Sequence, residues 1–86
     1  MLEVIILRLD KYLKVSRIIK RRTIANEACD AGRVNVNGKI ARASYDVKVG
    51  DVVEIGFGTR IVKVEVLSLN ETIHKEDAAL MYKIIE

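Results

Sequence analysis

Residues 32–39, GRVNVNGK, mark the place where the chain changes its rhythm. Val34 and Val36 alternate with Arg33 and Asn35, the period of two expected of a strand with one buried face. Asn37-Gly38 follows, and this dipeptide favours a two-residue hairpin because both positions tolerate the left-handed conformation that the turn requires. Gly32, just ahead, is the residue type that commonly ends a helix. A helix therefore finishes at about residue 31 and a sheet begins.

Upstream, Ile24, Ala25, Ala28 and Cys29 form a single apolar stripe, which predicts a helix over about 23–31 with Thr23 as its N-cap. Before it, Leu9, Tyr12 and Leu13 stand at i, i+3 and i+4 and predict a short first helix. Arg8, Lys11 and Lys14 recur every third residue on roughly the opposite face. Between the helices, Val15 to Lys20 reads as a turn or bend, with Ile18 and Ile19 feeding the core.

Downstream, Val47 and Val49 lead to a turn at Gly50-Asp51 and a strand over 52–56. GFGTR is a second turn, and a further strand points Val62, Val64 and Val66 inward against Lys63 and Glu65. EDAALMYKII, residues 76–85, reads as a short C-terminal helix docked through Ala78, Ala79, Met81 and Tyr82. The expected class is α+β: two packed N-terminal helices against a small, half-exposed antiparallel sheet.

The inventory for catalysis is thin. His74 is the sole histidine and stands in a polar stretch, where a solvent-exposed side chain is expected. No phosphate loop, dinucleotide fingerprint or nucleophile motif is present, so a noncatalytic protein without cofactor or metal is expected. One cysteine allows neither an internal disulfide nor a four-cysteine zinc site, and Cys29, among alanines on a helix, reads as a buried thiol. No apolar run approaches the ~20 residues that span a bilayer. MLEVIIL carries an acid where a secretion signal would be basic, so a cytoplasmic protein is expected.

Charge is distributed unevenly. The chain carries 15 Lys+Arg and 12 Asp+Glu, a net +3. Residues 8–22, RLDKYLKVSRIIKRR, hold seven of the bases and Asp10 as their one acid, so the remainder is net acidic. The acids that would neutralise a solvated helix face at i+4 are missing. Such a patch fits nucleic acid or an anionic membrane. Membrane insertion would need Leu9, Tyr12 and Leu13, which the core requires. With Tyr12, Tyr45, Tyr82 and Phe57 the only aromatics, there is no platform for stacking bases, and contact with phosphates is the expected mode. Asp10 is expected to pair with one of the arginines around it.

The run RLDKYLKVSRIIKRRTIANEACDAGRVNVNGK, followed by SYDVKVGDVVEI, resembles the RNA-binding domain first described in ribosomal protein S-four, over about residues 8–55. That resemblance implies two helices packed on a bent antiparallel sheet, with an RNA-binding face on the helices. The expected organisation is an N-terminal extension over 1–7, an S-four-type domain with sheet extension over 8–70, and a tail with a short helix over 71–86.

The whole length is most similar to a standalone subfamily that includes the RqcP-like and heat-shock-protein-fifteen-like proteins. It implies a factor that binds the large ribosomal subunit obstructed by peptidyl-tRNA, touching ribosomal RNA and tRNA; a monomer without a membrane partner is expected. Beside an RqcH-type tailing factor, such a protein supports alanine tailing of stalled chains in ribosome-associated quality control. A general heat-shock or ribosome-assembly factor, and an adaptor for a membrane or acidic protein, are the alternatives.

By the same resemblance, Arg8 and Arg22 contact ribosomal RNA and tRNA backbone. Lys11, Lys14, Arg17, Lys20, Arg21, Arg33, Lys39 and Arg42 complete the expected RNA-binding set. The family usually begins M-R-L-D-K, whereas MLEVIIL precedes Arg8 here. Translation from Leu7 is expected if its codon is an alternative initiator.

Overall fold

In the computed structural model, residues 7–69 and 81–85 are described. The elements run β1 (Leu7–Arg8), α1 (Leu9–Val15), α2 (Arg22–Asp30), β2 (Val34–Val36), β3 (Lys39–Ile40), β4 (Asp46–Val47), β5 (Val52–Phe57), β6 (Arg60–Val66) and β7 (Tyr82–Ile85). Five strands form an antiparallel sheet in the order β3-β2-β5-β6-β7, and β1 pairs with β4 in a separate two-stranded ribbon.

One face of the sheet meets the helices. Leu9, Tyr12 and Leu13 of α1 and Ala25 and Cys29 of α2 share a core with Val34, Val36, Val53, Ile55, Val64 and Val66. The alternation read in the sequence is therefore realised in β2, β5 and β6. On the other face Asn35, Glu54 and Lys63 lie side by side across three strands, with an ion pair of 3.7 Å between Lys63 and Glu54.

The hairpin at Asn37-Gly38 forms with φ of 53° and 84°, as the dipeptide requires. Asn37 also anchors it. Its amide Nδ2 donates to Asp51 Oδ1 at 3.1 Å, and its Oδ1 accepts from the Val52 amide at 2.9 Å. The β2–β3 turn is thus tied to the turn that launches β5.

Two expectations need correction. The N-cap of α2 is Arg21, in an extended conformation, so Thr23 lies inside the helix and its hydroxyl does not cap it. The backbone can enter α2 directly from the extended Arg21, and the helix begins one residue earlier than its apolar stripe suggests. The second correction concerns the C-terminal helix. Tyr82–Ile85 is a strand, paired with β6 from Val66↔Tyr82 to Lys63↔Ile85. An aromatic and two isoleucines suit a pleated strand, and the open edge of β6 supplies the hydrogen-bond partners that a lone helix would lack. Met81 is nevertheless a docking residue, fully buried, and Tyr82 packs against the core. Ala78, Ala79 and His74 lie outside the described residues.

Candidate nucleic-acid interface

The basic run is shaped by the way the two helices start. Arg8 ends β1 with extended backbone and serves as the N-cap of α1. The first amides of α1 are consumed within the protein: Leu9 donates to the Tyr45 carbonyl at 2.8 Å, Asp10 to Ala43 at 3.1 Å, and Lys11 to its neighbour Asp10 Oδ1 at 2.8 Å. The start of α2 differs. No side chain caps it, and Ala25, donating to the Arg21 carbonyl at 3.0 Å, is the first amide to close a full helical turn. The amide end of α2 carries partial positive charge and stands beside Arg21 and Arg22.

Asp10 joins the two helices. Its side chain is 2% exposed, whereas those of Arg8 and Arg22 are 49% and 47% exposed. Arg8 Nε donates to Oδ1 at 3.2 Å and its Nη2 to Oδ2 at 3.4 Å. Arg22 Nε reaches Oδ2 at 3.4 Å, and Asn26 Nδ2 donates to the same oxygen at 3.3 Å. Burial alone would raise the carboxyl pKa. The hydrogen bonds from Asn26, Arg8 and the Lys11 amide, with the charge of Arg22, outweigh it and hold the group below its ordinary value.

Around this carboxylate lies an open recess of about 520 Å³ lined by Arg8, Asp10, Arg22, Thr23, Asn26 and Glu27. Two guanidinium groups face the one carboxylate of Asp10, so that cluster is net positive, with Glu27 as the second acid on the recess wall. Arg8 engages Asp10 through Nε and Nη2 and Arg22 through Nε, which leaves Nη1 of Arg8 and both Nη groups of Arg22 unused by Asp10. Guanidinium N–H groups left over in this way can donate to phosphate oxygens.

The other expected RNA-binding residues are spread more widely. Lys14 is exposed in the last turn of α1, and Lys11 is half-buried on the same helix. Arg17, Lys20 and Arg21 are exposed along the connection into α2. Arg17 carries a left-handed φ of 64°. Arg33 lines a neighbouring recess with Ile24, Glu27, Ala28 and Ala31, so Glu27 is a shared wall between it and the Arg8–Arg22 recess. Lys39 lies on β3 and Arg42 follows it, both exposed and neither lining the Arg8–Arg22 recess. The structure therefore brings Arg8 and Arg22 together on one recess, and Lys39 and Arg42 are not among its lining residues. Asn26 was missed in the sequence. It follows Arg22 by four residues, one helical turn, and that spacing was the available signal.

Cys29 is a buried thiol, 2% exposed, and burial together with the nearby charges of Asp10 and Asp30 pushes its pKa up to about 11. Among the described residues no group of His, Cys, Asp and Glu is arranged to hold a metal ion, and no helix is long and apolar enough to cross a membrane.

Two helices set on an antiparallel sheet, with a basic corner where they meet, define the S4 domain, and the S4 domain family matches residues 7–53. The RQC P-site tRNA stabilizing factor of Streptococcus pneumoniae is 60% identical over 79 residues, covering 92% of this chain and 90% of that protein. The factor of the same name from Bacillus subtilis is 54% identical over 80 residues, covering 93% of each. The chain belongs to this S4-domain family of RQC P-site tRNA stabilizing factors. Among solved structures, the fold is shared with the trimeric structure of Vibrio cholerae Heat Shock Protein 15, at a TM-score of 0.85 and 24% identity, covering 94% of this chain and 83% of that one.

Proposed function

We propose that this protein is a noncatalytic RNA-binding factor of ribosome-associated quality control. It binds the large ribosomal subunit while peptidyl-tRNA is still lodged there, and contacts both ribosomal RNA and the tRNA backbone. In this reading it acts as a monomer, steadying the tRNA while an RqcH-type factor supports alanine tailing of the stalled chain. The observation that carries the reading is the convergence of Arg8 and Arg22 on one recess at the junction of α1 and α2. The names of the relatives, which specify a P-site tRNA, supply the class of ligand.

Co-sedimentation with large subunits, with and without peptidyl-tRNA, tests it. The chain should follow the obstructed subunit and leave the empty one. Arg8→Ala or Arg22→Ala should each weaken that binding by about 1–3 kcal/mol, the scale of a hydrogen bond to a charged group. Arg60→Ala and Lys63→Ala, on β6, should matter less; Lys63 already pairs with Glu54. Equal losses at all four positions would mean diffuse attraction and would remove the assigned site.

A further inference from the structure

An acid on the floor of a recess meant for phosphate is an electrostatic liability. A carboxylate repels the anion, and the simplest way to strengthen the site would be to remove it. Here the acid is built in deeply. Asp10 is 2% exposed, and both of its oxygens are engaged by Arg8, Arg22, Asn26 and the Lys11 amide. The Lys11 amide and Asn26 fix the carboxylate, and the carboxylate in turn holds the Nε edge of each arginine.

We infer that Asp10 is a positioning residue of the RNA-binding site: it orients Arg8 and Arg22 so that their outer nitrogens converge on a single RNA phosphate, and its negative charge thereby strengthens the binding of an anion. The inference rests on the function proposed above and adds a mechanism to it. An arginine side chain has many rotamers, and a free one loses that freedom when it grips a phosphate. Two arginines already held by one carboxylate lose less. The two guanidinium groups and the one carboxylate they share carry a net +1 among them, while Glu27 on the recess wall balances that charge at the rim, so orientation of the arginines rather than excess charge is what the recess offers an anion. The carboxyl, held below its ordinary pKa by these contacts despite its burial, remains charged wherever RNA binding is measured.

The sign of one substitution separates this account from diffuse attraction. Asp10→Asn raises the net charge of the chain by one, so attraction by overall charge predicts tighter binding to large subunits carrying peptidyl-tRNA. Positioning predicts binding roughly tenfold weaker, the loss of about one hydrogen bond to a charged group. In the Asp10→Asn background, Arg22→Ala should also cost less than it does in the unaltered chain, since Arg22 would already be unheld. Tighter or unchanged binding, or an equal cost of Arg22→Ala in both backgrounds, overturns the inference.

A measurement on the unaltered protein guards against a variant that fails to fold. In nitrogen-15 NMR without RNA, the Nε–H signals of Arg8 and Arg22 should exchange with water more slowly than that of Arg60, which is exposed and has no such partner among the described residues. Equal exchange at all three overturns the positioning role. Failure of the unaltered chain to bind the obstructed subunit, with Arg8 and Arg22 still protected, overturns the proposed function instead.

Discussion

The hydroxyl of Tyr12 donates to the carbonyl oxygen of Met81 at 3.0 Å, a buried bond between residues 69 positions apart. It fastens α1 to the start of β7. The same carbonyl also accepts from the amides of Leu67, at 2.8 Å, and Ser68, at 3.2 Å. Tyr12→Phe should therefore leave no orphaned acceptor and cost only about 1 kcal/mol in urea unfolding. Tyr12→Ala, which also empties a fully buried ring position, should cost about 3–5 kcal/mol.

Arg17 occupies the position after the C-cap of α1, where glycine is usual, with φ of 64°. A side chain in this region costs energy that glycine would not, offset in part by the greater freedom of glycine in the unfolded chain. Arg17→Gly should raise stability by about 0.5–1 kcal/mol while weakening affinity for the obstructed subunit. Opposite signs in thermal unfolding and in binding would identify Arg17 as a residue retained for contact. Loss of stability together with unchanged binding would count against it.

Asp10 gives the protein an acid-sensitive component. Its folded pKa is lowered, so its contribution to stability is complete above its unfolded value and disappears as pH falls through the folded value. The stability difference between the unaltered chain and Asp10→Asn, measured by urea unfolding, should be about 1–3 kcal/mol at neutral pH and should shrink below about pH 4. A difference that stays constant down to pH 2 would mean that the charge of Asp10 contributes nothing.

The thiol of Cys29, buried and with its pKa raised to about 11, should resist alkylation by iodoacetamide at neutral pH until the protein is unfolded. Mass spectrometry before and after denaturant would show this. Rapid labelling of the native protein would mean that α2 opens readily from the sheet.

Binding should weaken steeply with salt. Contact with about five phosphates gives a slope of about −4 in log affinity against log salt, taking the duplex-DNA coefficient as a guide. A flat response would rule out phosphate contact as the source of affinity.

What could be read in the sequence was what neighbouring residues decide. GRVNVNGK encodes its hairpin within eight residues, and Gly32, with φ of 75°, ends α2 where its residue type suggests. The stripes of Leu9, Tyr12, Leu13 and of Ala25, Cys29 are core residues, as their spacing implies. β7 was illegible because its conformation is set by the edge of β6, and nothing local to Tyr82–Ile85 announces that edge. The ribbon of β1 with β4, which pairs Leu7 with Val47, is hidden for the same reason. Asp10 could be assigned an arginine partner from its neighbours alone, and Arg8 is that neighbour. Its simultaneous hold on Arg22 and Asn26 depends on how α1 packs against α2, which only the folded chain reveals.

The burial of Met81 beneath α1 also sets an order of events during synthesis. Both helices leave the exit tunnel before the segment that forms β7, and their basic corner emerges at first without the complete sheet behind it. Until residues 81–85 arrive, Tyr12 lacks the carbonyl it bonds and β6 lacks its outer neighbour. Domains of this size fold as units, so the corner of Arg8, Asp10 and Arg22 gains its finished support only once residues 81–85 have joined the sheet, and a chain cut short before Met81 would present its arginines on an incomplete scaffold.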